Sequence, residues 1–189
     1  MSRAHRGYRS AAMGVLHEWV TCPRCAAALA GDATRLACPA CGSAFYANSA
    51  PTASALVVDA DGRLLLGRRA SEPYLGMWDT IGGFLHEGED ALDGLRREVR
   101  EETGLDVEPV SFLGVWTDRY GNGPDAVHTL NLFWVARVVA GDPTPADDVS
   151  ELAWFAPDEL PAREALAFTR VADVVEAWKR TVPAGDCPP

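Results

Sequence analysis

Between Gly82 and Leu105 the chain carries a pattern that few folds accommodate: two adjacent glycines, then Glu89, then a run holding Arg97, Glu98, Glu101 and Glu102, closed by Gly104. Leu92, Leu95 and Val99 recur at helical spacing and Gly104 supplies a C-cap, so the run predicts a helix over 90–103. At roughly 100° per residue, Glu98 and Glu102 fall about 40° apart, with Glu101 about 60° to the other side of Glu98. The acids therefore border the apolar stripe, where a helix meets a groove. Three carboxylates on one arc repel one another unless a cation neutralises them, and hard oxygen ligands of this kind suit Mg²⁺ or Mn²⁺. Taken alone, the helix is equally well explained as a solvated acidic face paired with Arg96, Arg97 or Arg100.

The net charge sharpens the choice. At −10, the chain lacks the basic footprint that general binding to nucleic acid or anionic membrane requires. An acidic protein acting on a polyanion needs divalent cations between the two, which makes clustered carboxylates ligands instead of liabilities. A chain of 189 residues, 48% apolar and 23% charged, has room for one ordinary soluble domain and a small appendage. No apolar run approaches the ~18 residues of a membrane span. The arginine-bearing start has no apolar signal region, so residues 1–18 read as a disordered leader and the protein as cytoplasmic.

The appendage is residues 19–47. Cys22 and Cys25, then Cys38 and Cys41, form two matched CxxC pairs separated by twelve residues, enough for one β-hairpin. That spacing predicts a small structural zinc ribbon held by all four cysteines, because four thiolates leave no open position for chemistry. A pair of disulfides is the competing account, disfavoured in a reducing compartment. Cys187, in the flexible tail 182–189, reads as a free thiol. With only Arg24 and Arg35 as cations, the ribbon offers little to nucleic acid.

Residues 51–181 form the main domain. Strands are predicted over 53–59 and 63–68 around the Asp61-Gly62 turn, over 78–81 ending at Gly82-Gly83, over 112–118 and 127–139 around a turn at 121–125, and over 152–155. A short helix is expected at 157–160 and a longer one at 168–180. Mixed strands with two substantial helices imply an α/β (α+β) sandwich on a mixed sheet.

Glu89 precedes Arg97 by eight residues, a spacing over which a loop can fold back to make a Glu–Arg pair. The whole segment, G-x5-E-x7-R-E-U-x-E-E-x-G-U with U aliphatic, is met at every defined position from Gly83 to Leu105 and resembles the Nudix hydrolase family. The resemblance implies a Nudix α/β/α sandwich and hydrolysis of a nucleoside diphosphate linked to another moiety. It implies that Glu98 and Glu102 hold catalytic Mg²⁺ (or Mn²⁺), that Glu101 shares in this, that the Gly83 carbonyl contributes, and that Glu89 and Arg97 shape the loop. The general base is left among the box glutamates, Asp147, Asp148 and Glu151.

A ribbon joined to such a domain is similar to the NADH pyrophosphatases and to a second ribbon-bearing group that includes FAD and ADP-ribose pyrophosphatases. The NADH enzymes carry a Ser-Gln-Pro-Trp-Pro-Phe-Pro-type array after the box. Residues 113–120 here lack it, which favours the second group. The expected substrate is thus a dinucleotide or nucleotide-sugar such as ADP-ribose, FAD or NAD(H). A house-cleaning pyrophosphatase for nucleoside triphosphates and a non-catalytic nucleotide-sensing module are the alternatives, and a homodimer is left open. Arg68, Trp78, Arg119 and Tyr120 are the candidate substrate contacts, with Arg69 considered beside Arg68 for phosphate. His86 and His128 are not read as ligands.

Overall fold

A computed structural model describes residues 16, 19–121 and 126–181. The expected leader apart from Leu16, most of the 121–125 turn, and the tail with Cys187 lie outside the described residues. By backbone contacts the chain divides into two units, residues 1–48 with 122–127, and residues 49–121 with 128–189.

In the first unit, β1 (Ala30–Gly31), β2 (Arg35–Ala37) and β3 (Ala44–Tyr46) form an antiparallel sheet in the order β1-β2-β3. The strands are too short to bury a core, and Leu36 and the thiols of Cys22 and Cys38 are most of what is buried. The Asp32 carboxylate accepts from the Thr34 and Arg35 amides and shapes the β1–β2 turn.

The second unit is built on β4 (Ala50–Val58), β5 (Leu64–Arg69), β6 (Trp78–Asp79), β7 (Ile81–Phe84), β8 (Asp106–Tyr120), β9 (Val127–Ala140) and β10 (Val149–Phe155). These form one mixed sheet in the order β10-β5-β4-β9-β8, with β6 on β5 and β7 on β4. β4 runs parallel to β9 and antiparallel to β7. Being central, β4 is covered on both faces and is buried from Thr52 to Val57.

Alternation along β4 and β5 sends the two sets of side chains to two cores. Leu56, Leu64 and Leu66 pack with Val171, Val174, Val175 and Trp178 of α2 (Thr169–Lys179). Ala53, Ala55, Val57 and Leu65 pack with Leu95 and Val99 of α1 (Ala91–Thr103). Helix, sheet, helix is the result. The α1 ends match the sequence: the Asp90 carboxylate accepts from the Leu92 amide as N-cap, and Gly104 ends the helix at φ 71°.

Three expectations are corrected. The 112–118 strand begins at Asp106, six residues earlier; β8 lies at the sheet edge, where Pro109 costs no ladder bond. The 78–81 strand breaks at Thr80 and resumes, so Gly82 and Gly83 lie within β7. Residues 157–160 form a turn, with the Glu159 amide donating to the Ala156 carbonyl; Pro161 stops any helix there, and a short 3-10 turn occurs at Arg163–Ala165 instead. Among the described residues no helix is long and apolar enough to cross a membrane.

Candidate active site

A cleft of about 280 Å³ opens in the second unit, with α1 and the loop before β10 on one side and the end of β8 and the start of α2 on the other. Its acidic wall comes from α1. Glu98 and Glu102, one turn apart, both line it, and Glu102 is buried. The Gly82 amide donates to Glu102 Oε2 at 2.9 Å, which fixes that carboxylate against β7. Gly83 lies so close to Glu98 that a Cβ there would sit 2.6 Å from its Oε1. Gly83 thus leaves room for the Glu98 carboxylate, while Gly82, where a Cβ would lie 2.3 Å from the Ala53 carbonyl oxygen, lets β7 lie against β4.

Arg97 organises the segment. Its Nε and Nη2 grip both oxygens of Glu89, at 2.8 and 2.9 Å, and Nη2 also reaches the Phe84 carbonyl at 3.2 Å. Its Nη1 reaches Glu98 Oε1 and Glu101 Oε2, each at 2.9 Å. Glu89 is thereby held well below the usual carboxylate range, at about 2, by the Arg97 hydrogen bonds and then by the His86 amide. Glu101 stands half exposed on this pair and does not line the cleft.

The late acids separate. The 141–148 loop docks on the last turn of α1, the Thr144 amide donating to the Thr103 carbonyl (2.8 Å) and the Ala146 amide to that of Glu102 (3.0 Å). That docking brings Asp147, at φ 53°, and Asp148 into the cleft wall. Glu151 faces away and pairs with Arg68 at 3.3 Å. Burial raises the Glu98 carboxyl against the pull of Arg97, with Glu101 and Asp148 adding to the rise. Glu102 is pushed well above its ordinary value by burial first and by Asp148 second. Like charges forced together out of water are what a bound cation would relieve. The donors are carboxylates and a backbone carbonyl, the ligand chemistry of a hard divalent ion.

The proposed substrate contacts divide in the same way. Tyr120 lines the cleft. Trp78 is buried against Phe155 (5.1 Å between rings) with the Arg68 guanidinium 4.7 Å from its ring, and neither residue reaches the cleft. The Arg119 amide donates to Asp118 Oδ1, and Arg119 likewise lies outside the lining. Residues not singled out from sequence, Phe84, Asp79, Asp118, Phe168 and Arg170 among them, also line it, together with Arg69 and His86. Alternation along β5 was the available signal for Arg69: if one of two successive arginines faces outward, the other faces in.

The cysteines form a separate centre. All four are free, and their Sγ atoms lie within 4.8 Å of one another. Cys22–Cys41 and Cys25–Cys38 sulfur distances are 3.7 and 3.5 Å. Four sulfurs at ~2.3 Å from one tetrahedral zinc would stand about 3.8 Å apart, so the cluster is compatible with a zinc ribbon.

A sheet sandwiched between two helices, one of which presents Glu98 and the buried Glu102 to a cleft, defines an α/β/α sandwich of the kind the glycine–glutamate pattern implied. The NUDIX domain model matches residues 48–176, and the chain belongs to the Nudix family. It is similar to the NAD-capped RNA hydrolase NudC of Stutzerimonas stutzeri, 32% identical over 126 residues, 66% of this chain and 43% of that protein. It is equally similar to an ADP-ribose pyrophosphatase of Methanocaldococcus jannaschii, 32% identical over 107 residues, 56% of this chain and 61% of that one. The chain thus spans about half the length of the curated relatives it matches. In structure it resembles a NUDIX hydrolase from Nitrosomonas europaea, with a TM-score of 0.70 at 24% identity over 85% of this chain and 90% of that one, a likeness of fold.

Proposed function

We propose that the protein is a divalent-metal-dependent hydrolase that cleaves the diphosphate bond of a nucleoside diphosphate linked to a second moiety, in a dinucleotide or nucleotide-sugar. The observation that carries this is the convergence of Glu98, Glu102 and Asp148 on one cleft wall, all desolvated or repelling one another without a cation. The relatives named for NAD-capped RNA and ADP-ribose support the substrate class.

Glu98 and Glu102, with the Gly83 carbonyl, would hold Mg²⁺ or Mn²⁺, and Glu101 would share through water. When bound, such ions polarise the anhydride oxygens and offset the charge that develops on them. The Gly82 amide keeps the Glu102 carboxylate oriented, and Arg97 keeps that of Glu98. Asp147 and Asp148, which line the cleft with the box glutamates Glu98 and Glu102, would accept a proton from the attacking water at a carboxylate oxygen. The pairing of Glu151 with Arg68, outside the lining, supports them over Glu151 for this role.

The ribbon cysteines would hold structural Zn²⁺, their four sulfurs lying close enough to share one ion. The test is Mg²⁺-dependent hydrolysis of ADP-ribose, NADH, FAD and nucleoside triphosphates by wild type and Glu98→Gln. A loss of at least ~10²-fold in turnover with an unchanged melting temperature is expected. Undiminished hydrolysis in the variant would refute the assignment. Release of AMP, as opposed to pyrophosphate, separates dinucleotide or sugar substrates from triphosphates.

A further inference from the structure

The N-cap position of α2 is held by Phe168, whose side chain makes no capping hydrogen bond. A Ser, Thr, Asp or Asn at that position would accept from the second or third helical amide. Here the acceptor comes from another element. Asp118 of β8, 52 residues before Arg170, takes the Arg170 amide on its Oδ2 at 3.2 Å. Its Oδ1 takes the Arg119 amide at 2.8 Å. Arg170 is the second residue of α2, so the Asp118 carboxylate stands in for the missing cap. The Arg170 guanidinium turns instead to Asp173, at 3.0 Å.

A remote cap leaves the N-cap position to an aromatic ring, and the backbone there is fixed from both sides. On one side the Ala167 amide donates to the Trp78 carbonyl of β6 at 2.7 Å. On the other, Asp118 holds the Arg170 amide. Between these anchors Phe168 stands at φ 46°, a conformation a phenylalanine keeps only where its surroundings impose it. Its ring lines the cleft and stacks on Tyr120 at 5.8 Å and 23°. Tyr120 lies two residues beyond Asp118 on β8, so one carboxylate ties the strand of one ring to the helix start of the other. Paired aromatic faces at a cleft wall suit a flat heteroaromatic group such as a nucleotide base.

We propose that Asp118 is a positioning residue: by capping α2 from β8 it fixes the Phe168 ring beside Tyr120, where the base of the substrate is received. The acids Glu98 and Glu102 stand on a different helix, so losing Asp118 weakens recognition of the base more than turnover. The choice of substrates in the test rests on the diphosphatase reading.

ADP-ribose is compared with the same diphosphate lacking adenine, in which two ribose groups flank the phosphates. With saturating Mg²⁺, wild type is expected to favour ADP-ribose by about tenfold or more in kcat/KM. Asp118→Ala should raise KM for ADP-ribose about tenfold, leave kcat within about threefold, and bring the ratio between the two substrates within about threefold. Phe168→Leu should do the same, and the double variant should match Phe168→Leu within about twofold, because Asp118 acts through that ring. Asp118→Asn serves if Asp118→Ala fails to fold; it offers one acceptor oxygen to two amides, and a smaller loss of the same kind is expected. The same comparison is made by calorimetry on the full chain with Ca²⁺ in place of Mg²⁺. Equal handling of the two diphosphates by wild type overturns the proposal. So does an equal loss on both in a folded Asp118 variant, which marks a cap that serves stability alone, and so do additive losses in the double variant. If the base-dependent loss appears in binding while wild type hydrolyses neither compound, the diphosphatase reading fails and the Asp118 assignment stands.

Discussion

Adding one methyl group at each of two neighbouring glycines should separate folding from chemistry. Gly83 does not sit in the left-handed region, and the atoms an added Cβ would meet are the far end of Glu98: Oε1 at 2.6 Å, Cδ at 2.7 Å and Oε2 at 2.8 Å. Ordinary contact begins near 3.4 Å, so in Gly83→Ala the carboxylate must retreat by about 0.8 Å. A flexible side chain can do this at a cost to the fold of about 1 kcal/mol or less. A shift of that size in a group aligned for catalysis costs about 10- to 100-fold in rate. Gly82 stands at φ 143°, and a Cβ there would lie 2.3 Å from the Ala53 carbonyl oxygen and 2.5 Å from Ser54 Cα, both backbone of the central strand β4. Nothing nearby can yield cheaply, so Gly82→Ala should cost about 3 kcal/mol or more, a melting shift of roughly 6–12 °C. Circular dichroism melts and initial rates with saturating Mg²⁺ measure both variants. If Gly83→Ala melts as low as Gly82→Ala, or keeps full activity, then Glu98 does not owe its position to the bare backbone at Gly83.

Other perturbations probe the supports of the cleft. The Glu89 carboxyl is held at about 2 against an ordinary 4.5, so its contribution is complete above pH 4.5 and disappears as pH falls through 2. Glu89→Gln should therefore lower the melting temperature at pH 7 and narrow its gap to wild type by pH 2.5; a constant gap would count against the ion pair. Leu95→Ala, at a fully buried position between α1 and the sheet, should cost about 2–5 kcal/mol in denaturant unfolding, and a loss under 1 kcal/mol would contradict the packing described. Cys38→Ser should reduce zinc from about one ion per chain, by elemental analysis of protein purified without added metal or chelator, while retained stoichiometric zinc would argue against the four-thiolate centre.

Local chemistry made α1 legible almost to the residue. Its apolar spacing, the Asp90 cap and Gly104 all lie within one stretch of chain, and each acts on its own neighbours. β8 was read short because an edge strand need not alternate cleanly: its first third, Asp-Val-Glu-Pro-Val, is partly solvated, and Pro109 looks like a breaker unless the strand has a free edge. The turn at 157–160 misled for the opposite reason. Asp158 and Glu159 after Pro157 are a fair helix start, but Pro161 allows no second turn to follow.

The cleft shows where such local reading ends. Glu98 and Glu102 could be placed on one wall from helical geometry alone, and Glu101 could be seen to diverge from them by about 100° or less. Which of Asp147, Asp148 and Glu151 joins them depends on two amides of the 141–148 loop reaching the carbonyls of Glu102 and Thr103, a docking between segments some forty residues apart. Likewise Arg68 and Arg69 are interchangeable as a dipeptide. β10 settles them by presenting Glu151 to Arg68, while the inward partner is left to Asp79, Tyr120 and Phe168, three side chains from three different elements. The acidic side of the cleft is thus written largely in one helix, whereas the surroundings of Arg69 are written only in the fold, because they come from segments far apart in the chain.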